Sequence, residues 1–218
     1  MDRFAKLREA LAAGSTEVER GEKPRLLGTL ANLYFGFNPG DYAHERREQL
    51  RFAVGDELTE VAERGFVALL LQQPLPVLAD LARMNAASEY QPHWYAILAG
   101  MDLYWEQHRS IPEHGVEAVF ALSLLLSTWD EDGSLAPASR REWSRQIYAQ
   151  HSAVAARVYE ILLSELIEQR ADTLGLLRRF KESPDASWRV ELAARLQSQV
   201  DPEQDPDTVA ALEELARG

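Results

Sequence analysis

Apolar residues recur at intervals of three and four positions along almost the whole chain, and this periodicity constrains the fold more than any other feature. The clearest stripe follows Pro92 and consists of Trp94, Ile97, Leu98, Met101, Tyr104 and Trp105. No stretch alternates apolar and polar residues for more than about four positions, which argues against strands and the phosphate loops that accompany them. The sequence therefore predicts an all-α protein.

Prolines, glycines and capping residues divide the periodic sequence into roughly ten helices. These are expected over residues 2–13, 24–34, 56–73, 77–85, 93–108, 113–126, 139–151, 152–170, 174–180, 184–200 and 206–217. The helix that carries Phe120 and Leu124 is apolar on several sides, which predicts a central position, almost full burial and contact with at least three other helices. Short connections predict antiparallel helix pairs, arranged as a HEAT-like α-α superhelix or as an irregular helical bundle.

The length of 218 residues allows one large domain or two small ones. We expect three segments: an N-terminal helical segment over 1–40, a main helical domain over 41–200, and an acidic C-terminal helix over 201–218.

Composition limits the compartment and the partners. The net charge is −12, and both halves of the chain hold more acidic than basic residues, which argues against nucleic acid as a partner. Cysteine is absent, so the chain forms neither disulfides nor thiolate zinc sites. Apolar runs such as Val67 to Leu71 are far too short to cross a membrane, and residues 1–6 lack the apolar core of a signal peptide. We therefore expect a cytoplasmic protein with no membrane partner.

Motifs of familiar catalytic and metal sites are missing from the sequence. There is no GxxxxGK[ST] or GxGxxG loop, no HExxH, and no pair of Glu-x-x-His motifs. No serine lies in a nucleophile elbow, and without cysteine thiol hydrolases are excluded. The sequence thus predicts no catalytic residue, no metal and no cofactor, and it favours a role other than catalysis.

Aromatic and histidine side chains provide a second interpretation. Tyr90, His93, Trp94, Tyr104 and His108 lie on or beside one predicted helix. Ligand pockets are mostly apolar with a few polar groups, and these residue types suit such a lining. The alternative is therefore an enzyme or small-ligand receptor with a pocket between helices at these residues.

The order of segments from about residue 44 to 197 carries a family resemblance. The segments are Glu45-Arg46-Arg47-Glu48-Gln49-Leu50, the helix from Gly55-Asp56 to Gly65-Phe66, Leu75-Pro76-Val77, Tyr95 to Trp105, Glu142-Trp143, His151 to Leu166, Leu174 to Leu177, and Pro184 with Trp188 to Leu196. In this order they resemble the helical region that follows the NTPase module in many bacterial NACHT, or NLR-like, proteins.

The resemblance implies a role in binding. In that family the region is taken to recognise ligands or to hold the NTPase inactive. This chain has no Walker lysine, so no catalytic residue is implied. We therefore expect a non-catalytic, helical-repeat-like protein-interaction or sensor module of bacterial origin, either a fragment or a stand-alone relative of the NACHT sensor region. Its expected partner is a protein, with a NACHT-type NTPase as one candidate.

Overall fold

The computed structural model describes residues 4–36, 46–72, 74–126, 138–184 and 187–217. Within these ranges the chain forms thirteen α-helices and no strand, which confirms the all-α prediction. They are α1 (Ala5–Ala13), α2 (Ser15–Glu19), α3 (Pro24–Tyr34), α4 (Arg46–Val54), α5 (Asp56–Gln72), α6 (Leu78–Ala86), α7 (His93–His108), α8 (Val116–Leu126), α9 (Ala138–Gln150), α10 (Ser152–Glu168), α11 (Leu174–Lys181), α12 (Ser187–Gln197) and α13 (Pro206–Arg217). None of these described helices is both long and apolar enough to cross a lipid bilayer.

Most expected helix bounds agree with the structure to within a few residues. Helix α3 begins at Pro24, a residue suited to the first helical turn because its missing N–H has no partner there. The long region near 139–170 divides at His151, as expected. One expected start is wrong: Ser183 and Pro184 lie outside any helix, and α12 begins at Ser187. Helices α2 and α4 were not expected.

Contacts divide the chain into two compact units. The first comprises Met1–Leu75 and Gln91–Gly115, and the second comprises Pro76–Tyr90 and Val116–Gly218. The first unit thus holds α1 to α5 and α7, and the second holds α6 and α8 to α13. This division differs from the three expected segments, whose first boundary at residue 40 lies outside the described residues. The division into those three segments stays a prediction.

Two glycines allow helices of the first unit to pack closely. Helix α7 packs along α5, and a Cβ added at Gly100 of α7 would collide with the backbone carbonyl oxygen of Phe66 in α5. Helix α2 packs on the same helix, where a Cβ at Gly65 would collide with the carbonyl oxygen of Val18. Glycine in a helix interior costs about 1 kcal/mol relative to alanine. At these two positions it lowers the intrinsic stability of the helix but lets two backbones approach closely.

Helix α8 lies at the centre of the second unit, as its sequence predicts. It packs against α6, α9, α10 and α11, and Phe120 and Leu124 are 1% and 6% exposed. The Phe120 ring meets Tyr148 of α9 edge-on at a centroid distance of 5.2 Å and Tyr159 of α10 at 6.1 Å. The predicted burial of this helix is therefore confirmed.

In each unit, helices also pack against helices that do not come directly before or after them in the chain. In a regular superhelix each repeat contacts chiefly the next one along the chain. Here α7 packs against both α3 and α5 in the first unit, and α6 packs against α8 and α10 in the second. Within each unit, this packing order is that of an irregular helical bundle.

Three buried tyrosines predict a loss of stability at alkaline pH. Burial raises the pKa of Tyr34, Tyr148 and Tyr159 above the ordinary value of about 10. Since the unfolded chain releases these protons near pH 10 and the folded chain retains them, their contribution to stability is present below about pH 10 and is lost above it. Urea unfolding at about pH 8 and about pH 11 should show this decline, and Tyr34→Phe should reduce it. An equal decline in the variant contradicts the prediction.

Candidate functional site

The five residues expected to line a pocket have different environments. His93, Trp94, Tyr104 and His108 belong to α7 of the first unit, whereas Tyr90 belongs to the second unit and is 62% exposed. Trp94 is 3% exposed and is a core residue. His93 is half-buried, and burial lowers the pKa of its imidazole. Of these five residues, Tyr104 and His108 have rings in contact with each other, with centroids 4.3 Å apart.

Helix geometry separates the two histidines of this set. His93 is the first residue of α7 and His108 the last, which places them about 22 Å apart at 1.5 Å per residue. They cannot hold the same small ligand. A ligand-binding role for the Tyr104 and His108 pair stays a prediction.

A cleft of about 460 Å³ lies in the first unit, bounded by α2, α4, α5 and α7. None of the five expected residues lines it. Its floor is apolar and comes from α5 and α7, with Val67, Ala68, Leu71 and Leu103. Its polar lining consists of Glu19, Arg47, Glu60, Glu63, Arg64, Gln72 and Gln107. The first unit therefore presents an apolar groove with charged edges.

Ion pairs connect the helices at the edges of the cleft. Arg47 of α4 binds Glu63 of α5, with Nε 2.5 Å from Oε1 and a terminal nitrogen 2.5 Å from Oε2. Arg64 of α5 donates to Glu19 of α2 at 2.7 Å and lies 3.6 Å from Glu60. The hydrogen bond to Glu19 also raises the pKa of the Arg64 guanidinium. Both arginines are thus engaged by glutamates of the same cleft.

Acidic groups on α7 extend the negative charge beyond the edge of the cleft. Asp102 is fully buried, and Glu106 stands one turn after it, beside the lining residues Leu103 and Gln107. Burial and then the charge of Asp102 raise the pKa of Glu106, which the charge of Glu63 raises further while Arg47 opposes it. The same acids add to the rise in the pKa of Tyr34. The surroundings on this side of the cleft therefore disfavour the charged forms of both Glu106 and Tyr34.

A sequence signal for the cleft lies on α5, outside the apolar stripe that predicted this helix. Val67 and Leu71 lie off the buried stripe of α5, four residues apart, on the helical face that also carries Glu60 and Arg64. Leu71 is 38% exposed, as is typical of an apolar residue on a polar face. Apolar residues at helical spacing among charges mark this face.

The arrangement suits binding by apolar contact and by carboxylates. Within the described ranges, no group of three or more His, Cys, Asp or Glu residues is placed to hold a metal ion. The cleft is lined by no hydroxyl, imidazole or amine side chain among the described residues, so it presents no serine, threonine or lysine nucleophile there. The cleft combines an apolar floor with edges of ion-paired arginines and glutamates.

The expected resemblance to NACHT-associated regions rests mostly on packing residues, and it stays a prediction. No protein-family model, no curated protein and no solved structure matches this chain.

Proposed function

We propose that the chain is a non-catalytic helical module that binds a protein partner, and that the cleft of the first unit is its binding surface. The observation that carries this proposal is the apolar floor of the cleft, where Leu71 is 38% exposed beside a rim of ion-paired charges. Protein interfaces combine a desolvated apolar centre with a polar rim in this way.

Most of the exposed apolar surface of the cleft belongs to Leu71 and Val67, because Ala68 and Leu103 are only 7% and 6% exposed. Covering this surface removes it from water, which stabilises a complex by roughly 25 cal/mol per Å². The charged rim adds less net affinity but selects the partner and its orientation. Because Arg47 and Arg64 already pair with glutamates, the rim is ordered before binding, and less side-chain entropy is lost.

The family resemblance supplies the first partner to test. The segments between about residues 44 and 197 resemble the helical region beside the NTPase module of NACHT proteins. If this chain is a stand-alone relative of that region, a NACHT-type NTPase encoded by the same bacterium is the partner class to examine first.

Charging the cleft floor is expected to abolish partner binding. The variant Leu71→Glu places a carboxylate on the floor, whereas Leu174→Glu alters a leucine of α11 that is 48% exposed in the second unit. Each protein is used to isolate partners from host cells, and the partners are compared by mass spectrometry. We expect at least a tenfold loss of a specific partner for Leu71→Glu and none for Leu174→Glu. Circular dichroism checks that both variants remain folded.

Two results decide against this proposal. Recovery of no specific partner by the wild-type protein contradicts a protein-interaction role, and a partner retained by Leu71→Glu removes the cleft from that role. The cleft volume of about 460 Å³ also lies in the range of small-ligand sites, which keeps a small-ligand receptor as the second candidate. That candidate predicts a Tm raised by the small-molecule fraction of a host extract in the wild type and not in Leu71→Glu.

A further inference from the structure

We propose that the partner segment seated in this cleft is a basic amphipathic α-helix. The inference rests on the proposed function and adds the chemistry and the conformation of the partner. It is carried by the shape of the cleft, by the pairing of its arginines and by the distribution of charge along α5.

The available binding modes favour a helix. Strand addition needs a sheet edge, and the described residues form no strand. Proline-rich segments dock on aromatic-lined grooves, whereas no lining residue of this cleft is aromatic. Phosphorylated motifs need arginines that are not already paired, but Arg47 and Arg64 each bind glutamate. An apolar groove beside helices is suited to the apolar face of a partner helix.

The charge of the cleft favours a basic partner. Three glutamates line it against two arginines, which leaves an excess of one negative charge. Glu60 is 67% exposed and has only a 3.6 Å approach from Arg64, so its oxygens can accept hydrogen bonds from a partner's Lys or Arg. The net charge of −12 also steers cations towards the chain over a longer range.

The order of residues along α5 predicts where apolar and basic residues lie along the partner helix. Glu60 and Glu63 lie towards the N-terminal end of the cleft, and Val67 and Leu71 lie towards its C-terminal end. Glu60 and Leu71 are eleven residues apart, or about 16 Å at 1.5 Å per residue. We therefore expect apolar residues at helical spacing near one end of the partner segment and Lys or Arg roughly three turns away.

A crosslinker in the cleft tests this inference directly. Gln72→p-benzoyl-L-phenylalanine places a photoreactive group at the cleft edge of the full chain, and the same replacement at the exposed residue Glu191 of α12 is the control. After irradiation in host cells, the crosslinked partner peptide is identified by mass spectrometry. The expected adduct maps to a segment that is predicted to be helical and has an excess of Lys and Arg. Its apolar residues should lie near one end, with Lys or Arg roughly three turns away. An acidic or non-helical segment, or no adduct specific to position 72, overturns the inference.

A charge reversal then tests the role of the acidic edge. The mapped segment is synthesised as a labelled peptide, and its binding to the wild type, to Glu60→Lys and to Glu191→Lys is followed by fluorescence anisotropy. We expect a Kd raised about tenfold by Glu60→Lys, a change below about twofold for Glu191→Lys, and weaker wild-type binding at high salt. Equal affinities in all three proteins overturn the role of the acidic edge.

The experiments separate this inference from the proposed function. If Leu71→Glu loses its partner but the crosslinked segment is acidic or extended, the cleft remains a protein-binding surface and only the basic helix is wrong. If Leu71→Glu keeps its partner, the proposed function of the cleft fails first.

Discussion

Replacing Phe120 with alanine is expected to lower the free energy of unfolding by about 3 to 5 kcal/mol. The ring is 1% exposed and contacts the rings of Tyr148 and Tyr159, so truncation leaves a cavity among aromatic groups that are themselves packed. Tyr159 in turn lies 5.0 Å from the Phe180 ring, which limits how far the surroundings can close the cavity. Urea unfolding followed by circular dichroism measures the change.

A substitution on the same helix supplies the control. Glu117 of α8 lies 3.3 Å from Arg157, and both side chains are at least 37% exposed. Such surface pairs contribute little, so Glu117→Ala is expected to cost about 0.5 kcal/mol or less. Equal unfolding curves for Phe120→Ala and the wild type would show that α8 is not the centre of its unit.

A methyl group at Gly100 is expected to destabilise the first unit by about 3 kcal/mol, although alanine is the better helix former. The added Cβ of Gly100→Ala collides with the carbonyl oxygen of Phe66, which belongs to the backbone of α5 and cannot rotate away. Helices α5 and α7 would have to separate. Their contact is also the floor of the cleft, where Leu103 of α7 adjoins the floor residues of α5.

Gly175→Ala is the matched control for this prediction. Gly175 lies in α11, and a Cβ there meets no atom within 4 Å. The same change is therefore expected to leave stability unchanged or to raise it by up to about 1 kcal/mol. Thermal unfolding of both variants shows whether Gly100→Ala lowers the Tm while Gly175→Ala leaves it unchanged or raises it. A Gly100→Ala protein as stable as Gly175→Ala would contradict the close packing of α5 and α7.

Helix existence could be predicted where the apolar period is long and prolines mark its ends. Helix α3 begins at Pro24, helix α7 follows Pro92, and both agree closely with their expected bounds. Helix α2 has five residues, which is too short to show a period of 3.6. Helix α4 has nine residues, and its apolar residues all lie in its second half, so its period of 3.6 extends over too few turns to be recognised. The motif of serine and proline at 183–184 predicted a helix start that the structure places at Ser187.

The candidate cleft could not be predicted because it depends on distances between helices. Sequence periodicity identifies which residues of α5 turn inward, but not which helices border its outward face. Glu19 and Arg64 are 45 positions apart and form one hydrogen bond across that face. Residue type on or beside one predicted helix indicated the five expected site residues. Residue type does not show where the surface is concave, and none of the five lines the cleft.

The close backbone approaches at Gly65 and Gly100 also provide a test of distant evolutionary relationship. A Cβ at Gly28 of α3 would likewise come within 2.6 Å of the Pro92 carbonyl carbon, so three helices each carry a position where alanine does not fit. Descendants of one ancestor that keep this packing must keep glycine there, at spacings of 37 and 35 residues apart from insertions. Two of these glycines fall within the segments for which the sequence predicts a resemblance to NACHT proteins. Glycine at the aligned positions of those proteins would indicate common ancestry, and bulky residues there would indicate convergence.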